Sequence, residues 1–138
     1  MASILLQGLN TEQQEAVLHA DGPALILAGA GSGKTKVLTH KSAYLISEKH
    51  TLPEEILMVT FTNKAASEMK ERITTLLSQE SRHIHGIPYA GTFHALCATI
   101  LRRDGKHIGI PQNFVIYDDS DQLDTIKNIM KELDISTK

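Results

Sequence analysis

Eight consecutive residues carry the clearest chemistry in this chain: Ala28-Gly29-Ala30-Gly31-Ser32-Gly33-Lys34-Thr35. They fit the phosphate-binding pattern G-x-x-x-x-G-K-[ST], with Ala28 at the first glycine position, where a small side chain suffices. Glycines let the backbone turn so that successive N–H groups face phosphate oxygens. A helix beginning at the end of such a loop adds the positive end of its dipole. Lys34 would place an ammonium on the β- and γ-phosphates of a nucleoside triphosphate, and the Thr35 hydroxyl would ligate Mg²⁺. The alternative is a flexible Gly/Ser turn with an accidental Lys-Thr. The context favours the cradle, because an apolar run precedes it and an amphipathic run follows.

Hydrolysis of a triphosphate also needs an acidic pair after a second apolar strand, to organise Mg²⁺ and activate water. Phe114-Val115-Ile116-Tyr117-Asp118-Asp119 superficially offers one. The chain then runs straight into Leu123, Ile126 and Ile129 at helical spacing. Asp118, Asp119 or Ser120 is therefore expected to cap a helix, where acids suit the dipole. The acidic catalytic pair is then missing from this chain. His83 and His85 share a loop but lack further ligands for a metal. Lys64, Lys70 and Arg72, and again Arg102, Arg103 and Lys106, read as solvated faces, a share of which could touch phosphate backbone.

The elements that must position these residues alternate helix and strand, the pattern of a parallel sheet covered by helices. A helix opens at Leu9 to Gln14, capped by Asn10 or Thr11 with Gln13 or Gln14 reaching back. Ala24 to Ala28 is apolar without alternation, as expected of a strand buried on both faces. The glycine turn leads into a helix from about Lys34 to Glu48, with Val37, Leu38, Leu45 and Ile46 on its buried side. Ile56 to Phe61 is a second predicted strand. Thr62 or Asn63 caps a helix over Lys64 to Leu77, with Ala66, Met69, Ile73 and Leu77 on one stripe. Ser78 to His85 reads as a loop and Ile87 to Gly91 as a third strand. Thr92 caps a helix carrying Phe93, Leu96, Cys97, Ile100 and Leu101, with Cys97 in the core, stopped by Asp104-Gly105. Phe114 to Tyr117 is a fourth short strand before the last helix.

Composition bounds the rest. The chain has 138 residues, 41% hydrophobic and 22% charged, so it is one ordinary domain or part of a larger one. Its longest apolar run is far below the roughly 18 residues of a membrane span, so no membrane association is expected. Met1-Ala2-Ser3 brings no basic region that would begin a signal peptide. A net charge of −2 excludes a uniformly basic nucleic-acid binder but leaves a local patch open. Cys97 is the single cysteine, which fits a reducing, cytoplasmic location.

With Lys34 placed, further segments fall into a known order. Leu9 to Ala16 resembles the Q motif of superfamily 1 DNA helicases of the UvrD/PcrA/Rep type, and Ala28 to Thr35 resembles their motif I. Val59-Thr60-Phe61-Thr62-Asn63-Lys64-Ala65-Ala66-Ser67-Glu68-Met69 resembles motif Ia, and Gly91-Thr92-Phe93-His94-Ala95 resembles the next DNA-contacting motif. Phe114 to Leu133 is similar to the beginning of their inserted helical subdomain. The resemblance covers almost the whole chain.

It implies an α/β P-loop (RecA-like) parallel sheet with flanking helices, incomplete here. Residues 1–113 would be the first part of motor domain 1A and 114–138 the start of subdomain 1B. The parent would be an ATP-dependent 3′–5′ DNA helicase or translocase using ATP and Mg²⁺. This chain, lacking the remaining helicase domains, would have little activity alone. Lys34 and Thr35 would carry the catalytic roles. Gln13, Ala28 to Thr35 and Lys36 would bind ATP, with Gln13 reading the adenine edge by its donor and acceptor. Lys36 stands where the family often has Arg near the base, which keeps charge but loses planar stacking.

Phe61, Thr62, Asn63, Thr92 and His94 would line the path of single-stranded DNA. Phe61 would stack a base, and the small polar groups would bind phosphate without reading sequence. From the residues alone, Phe61 is equally a core residue, Thr62 and Thr92 are helix caps, and His94 is a surface or packing residue. Two other classes stay open: a complete small P-loop nucleotide kinase, and a non-catalytic interaction module with a vestigial cradle. The kinase would need a second acidic site and an Arg-rich lid.

Overall fold

The computed structural model describes residues 4–19, 21–79 and 86–135. His83 and His85 lie outside them. The chain divides into two units, one through Leu96 and one from Cys97. That division falls within a helix.

In the first unit a short 3-10 turn, Ile4–Leu6, precedes α1, Thr11–Leu18. Next comes α2, Lys34–Glu48, then β1, Leu57–Thr60, α3, Asn63–Ser78, and β2, Tyr89–Thr92. The strands pair in parallel, with Leu57 opposite Tyr89 and Thr60 opposite Thr92. Two parallel strands need a crossover, and α3 supplies it. Its predicted stripe is the buried one: Ala66, Met69, Ile73 and Leu77 all lie inside. Met69, Ile73 and Leu77 join Leu5, Ala43, Ile46, Met58 and Ala90 in one core, with Ile73 fully buried. A smaller cluster of Leu9, Val17 and Val37 fixes α1 on α2.

The inner face of α2 is more polar than predicted. Leu38 is exposed, while Thr39, His40, Ser42 and Ser47 are buried. Burying polar groups is tolerable only when they are hydrogen-bonded. The Thr39 hydroxyl bonds the Thr35 and Lys36 carbonyls, and His40 Nδ1 lies 2.7 Å from the Leu5 carbonyl oxygen. The Ser42 hydroxyl lies 3.3 Å from Met58 Sδ.

Two of the four predicted strands do not form. Ala24 to Ala28 is irregular, with Leu25 84% and Leu27 87% exposed. Phe114 to Tyr117 is likewise irregular, and Val115 is exposed. An apolar run becomes a buried strand only when neighbouring backbone pairs with it and side chains cover it. Among the described residues neither segment has a strand partner.

The second unit holds most of α4, Phe93–Asp104, whose first turn belongs to the other unit, and α5, Asp119–Glu132. Arg102 stacks over the Phe114 ring at 5.5 Å, and Arg103 pairs with Asp104 at 2.7 Å. Cys97, predicted in the core, is exposed, as are Phe93 and Ile100. The α5 stripe of Leu123, Ile126 and Ile129 is also exposed, so helical periodicity here marks an amphipathic face without a covering partner among the described residues. Asp118 caps α5 as expected, its carboxylate accepting the Asp121 N–H at 2.9 Å. No described helix is long and apolar enough to cross a membrane.

Candidate functional site

The start of α1 and the loop before α2 enclose a hollow of about 360 Å³. Asn10 and Gln13 form a capping box. The Asn10 side chain accepts the Gln13 N–H at 2.8 Å, and Gln13 Oε1 accepts the Asn10 N–H at 3.1 Å. The other end of the same carboxamide crosses to the loop, where Gln13 Nε2 donates to the Ser32 carbonyl at 3.0 Å. Both halves of the Gln13 side chain are therefore engaged. Lys41 strengthens this joint from α2 by donating to the Ala16 carbonyl at 3.1 Å and to the His19 carbonyl. These cap the end of α1, and burial pushes the Lys41 ammonium below its usual pKa.

The loop turns at two of its glycines. Gly31 and Gly33 have φ of 76° and 86°, a region that costs other residues about 1–2 kcal/mol. The Ser32 hydroxyl bonds the Gly29 carbonyl at 2.7 Å. Lys34 folds back, donating to the Ala28 carbonyl at 3.0 Å and to that of Gly29. Gln13, Ala28, Gly29, Ser32 and Lys34 line the hollow, over a wall of Ile26, Leu27 and Val37. Ala30, Gly31, Gly33 and Thr35 complete the loop without lining it. Lys36 points elsewhere. Its ammonium bonds the Gly8 carbonyl, and it borders a second hollow with Thr39, His40, Glu71 and Arg72. Among the described residues no group of three or more His, Cys, Asp or Glu could hold a metal.

The remaining predicted site residues sit where the two strands end. Parallel pairing sends both following turns from the same edge, and the register sets Thr60 opposite Thr92. Phe61 and Phe93 thus leave the sheet at one level, their ring centroids 6.0 Å apart and the planes tilted by 48°. Phe61 is 89% exposed, which overturns the core alternative. The Thr62 hydroxyl caps α3, accepting the Ala65 N–H at 3.1 Å. Thr92 is buried, and its hydroxyl accepts the Ala95 N–H at 3.2 Å. Asn63 and His94 are exposed in the first turns of α3 and α4. Sequence reasoning assigned Phe93 to a packed stripe and missed it here. The repeated Thr-Phe pair, Thr60-Phe61 and Thr92-Phe93, was the available clue.

The glycine loop and its lysine thus open onto the start of α2, although the run before them joins no sheet among the described residues. The chain belongs to the UvrD/REP helicase N-terminal domain family, which it matches over residues 9–138. It is 55% identical over 134 residues to the ATP-dependent DNA helicase PcrA of Bacillus subtilis. The corresponding helicases of Staphylococcus aureus and Staphylococcus epidermidis are 52% and 51% identical over the same length. Each match covers 97% of this chain but 18% of the relative, so the chain spans under a fifth of the length of the proteins it resembles.

Proposed function

We propose that this chain is the ATP-binding amino-terminal segment of an ATP-dependent DNA helicase that moves 3′–5′ along single-stranded DNA. Its sheet would be the beginning of a RecA-like P-loop domain, with residues 1–113 in the motor and 114–138 opening an inserted helical subdomain. The observation that carries this proposal is the hollow that Lys34 and Gln13 both line at the glycine loop. Open space over part of the loop supports this reading: a Cβ built on Gly29 or Gly31 meets nothing within 4 Å, while Gln13 Nε2 covers Gly33.

In this proposal Lys34 exchanges the neutral Ala28 and Gly29 carbonyls for anionic phosphate oxygens, so that both donor and acceptor are charged. Thr35 would hold Mg²⁺, which when bound neutralises charge on the β- and γ-phosphates. Gln13 would release Ser32 or Asn10 to meet the adenine edge, since its donor and acceptor are both in use. Phe61 would stack a base, with Thr62, Asn63, Thr92 and His94 along the strand's path.

The test is titration with a fluorescent ATP analogue. Lys34→Ala should weaken binding about ten-fold or more, the value of a lost hydrogen bond to a charged group. Unchanged affinity would refute the cradle. In the full-length protein, single-stranded DNA should stimulate ATP hydrolysis, and this stimulation should vanish in the same variant.

A further inference from the structure

Phe93 has no role so far, yet it stands against Phe61. Four observations define what it does there. The register places both residues one step beyond the paired Thr60 and Thr92, so their adjacency is set by the backbone. Phe61 is 89% exposed, so little of the core holds its ring. Phe93 is 48% exposed and is the first residue of α4, directly after Thr92, whose hydroxyl caps that helix. The separation of 6.0 Å and tilt of 48° lie within the attractive range for two aromatic rings.

The same separation excludes one arrangement. A base sandwiched between the rings needs two van der Waals contacts of about 3.5 Å, roughly 7 Å in all. The gap is too narrow, so a base is left the outer face of Phe61. An exposed ring with no support must be immobilised when a base stacks on it, which costs affinity. A ring braced from behind has already lost that freedom.

We propose that Phe93 is a positioning residue for DNA: it backs the Phe61 ring so that the outer face of Phe61 is presented to an unstacked base of a single strand. This rests on the proposed single-strand role of Phe61, and the experiment separates the two.

The full-length protein is titrated at fixed salt with a single-stranded oligonucleotide carrying 2-aminopurine, whose fluorescence falls on stacking. Phe61→Ala should weaken binding about ten-fold, the scale of one base–aromatic stack. Phe93→Ala should weaken it about two- to ten-fold, the scale of one aromatic pair, and should restore part of the quenched fluorescence. Phe93→Tyr should behave as wild type. Phe93→Leu, which keeps bulk without a flat ring, should keep the affinity for an ATP analogue while losing the quenching. Adding Phe93→Ala to Phe61→Ala should cause no further loss. If Phe61→Ala weakens binding while Phe93→Ala and Phe93→Leu match wild type, the bracing role is overturned and the role of Phe61 stands. Additive losses in the double variant would also overturn bracing. Wild-type affinity in Phe61→Ala would overturn the single-strand role itself.

Discussion

Replacing Gly29, Gly31 and Gly33 one at a time by alanine separates backbone strain from steric contact. Gly29 has no positive φ, and its added Cβ meets nothing within 4 Å. Alanine there only restricts the unfolded chain, so it should stabilise by about 0.4–1 kcal/mol. Gly31 has φ of 76° in open space. Alanine there bears about 1–2 kcal/mol of left-handed strain, partly offset by the unfolded-state gain, for a net loss of about 1 kcal/mol. Gly33 has φ of 86°, and its Cβ would lie 2.8 Å from Gln13 Nε2. That amide is the end of a flexible side chain and would swing away, losing its bond to Ser32, worth about 1 kcal/mol. The net loss at Gly33 is then about 2 kcal/mol. With a urea m-value of about 2 kcal/mol/M, the unfolding midpoint should rise by a few tenths of a molar for Gly29→Ala. It should fall by about 0.5 M for Gly31→Ala and about 1 M for Gly33→Ala. In a Gln13→Ala background the extra cost at Gly33 should disappear, leaving that of Gly31. Equal shifts for all three, or a loss at Gly29 as large as at Gly33, would refute the reasoning.

Two further outcomes follow from the helices. Hydrogen bonds from the Ser120 hydroxyl, then from the Asp121 N–H, hold the Asp118 carboxyl below its usual pKa. A depressed carboxylate contributes stability that is present above its ordinary unfolded value and lost as pH falls through the lowered one. The α5 amides should therefore lose hydrogen-exchange protection on acidification below the ordinary carboxylate range. Asp118→Ala should remove that dependence, and identical acid sensitivity in the variant would count against the cap. Ile73 is fully buried between α3 and the sheet, so Ile73→Ala should cost about 2–5 kcal/mol in chemical unfolding. A loss under about 1 kcal/mol would mean that the site collapses freely.

Local interactions made much of this protein legible. The α3 stripe, the Thr62, Thr92 and Asp118 caps, the Asn10–Gln13 box and the course of α2 all depend on residues within one or two turns of each other. Spacing alone is enough for these, because helical hydrogen bonds close between near neighbours. The glycine loop belongs with them, since its glycines meet local backbone demands.

Sequence alone therefore determined the helices, their caps and the glycine loop that brings Lys34 and Thr35 to the start of α2. Tertiary structure decided what depends on a distant partner. Ala24–Ala28 and Phe114–Tyr117 have the composition of buried strands, but a strand exists only where another strand's backbone pairs with it, and among the described residues neither segment has one. Register placed Phe61 beside Phe93, residues 32 positions apart in the chain, and left Phe61 in solvent. Packing turned Cys97 outward and buried the polar His40 and Thr39, whose hydrogen bonds to backbone carbonyls offset their desolvation. Burial and pairing are sums over neighbours that periodicity does not name, and this is why these features appear only once the chain has folded.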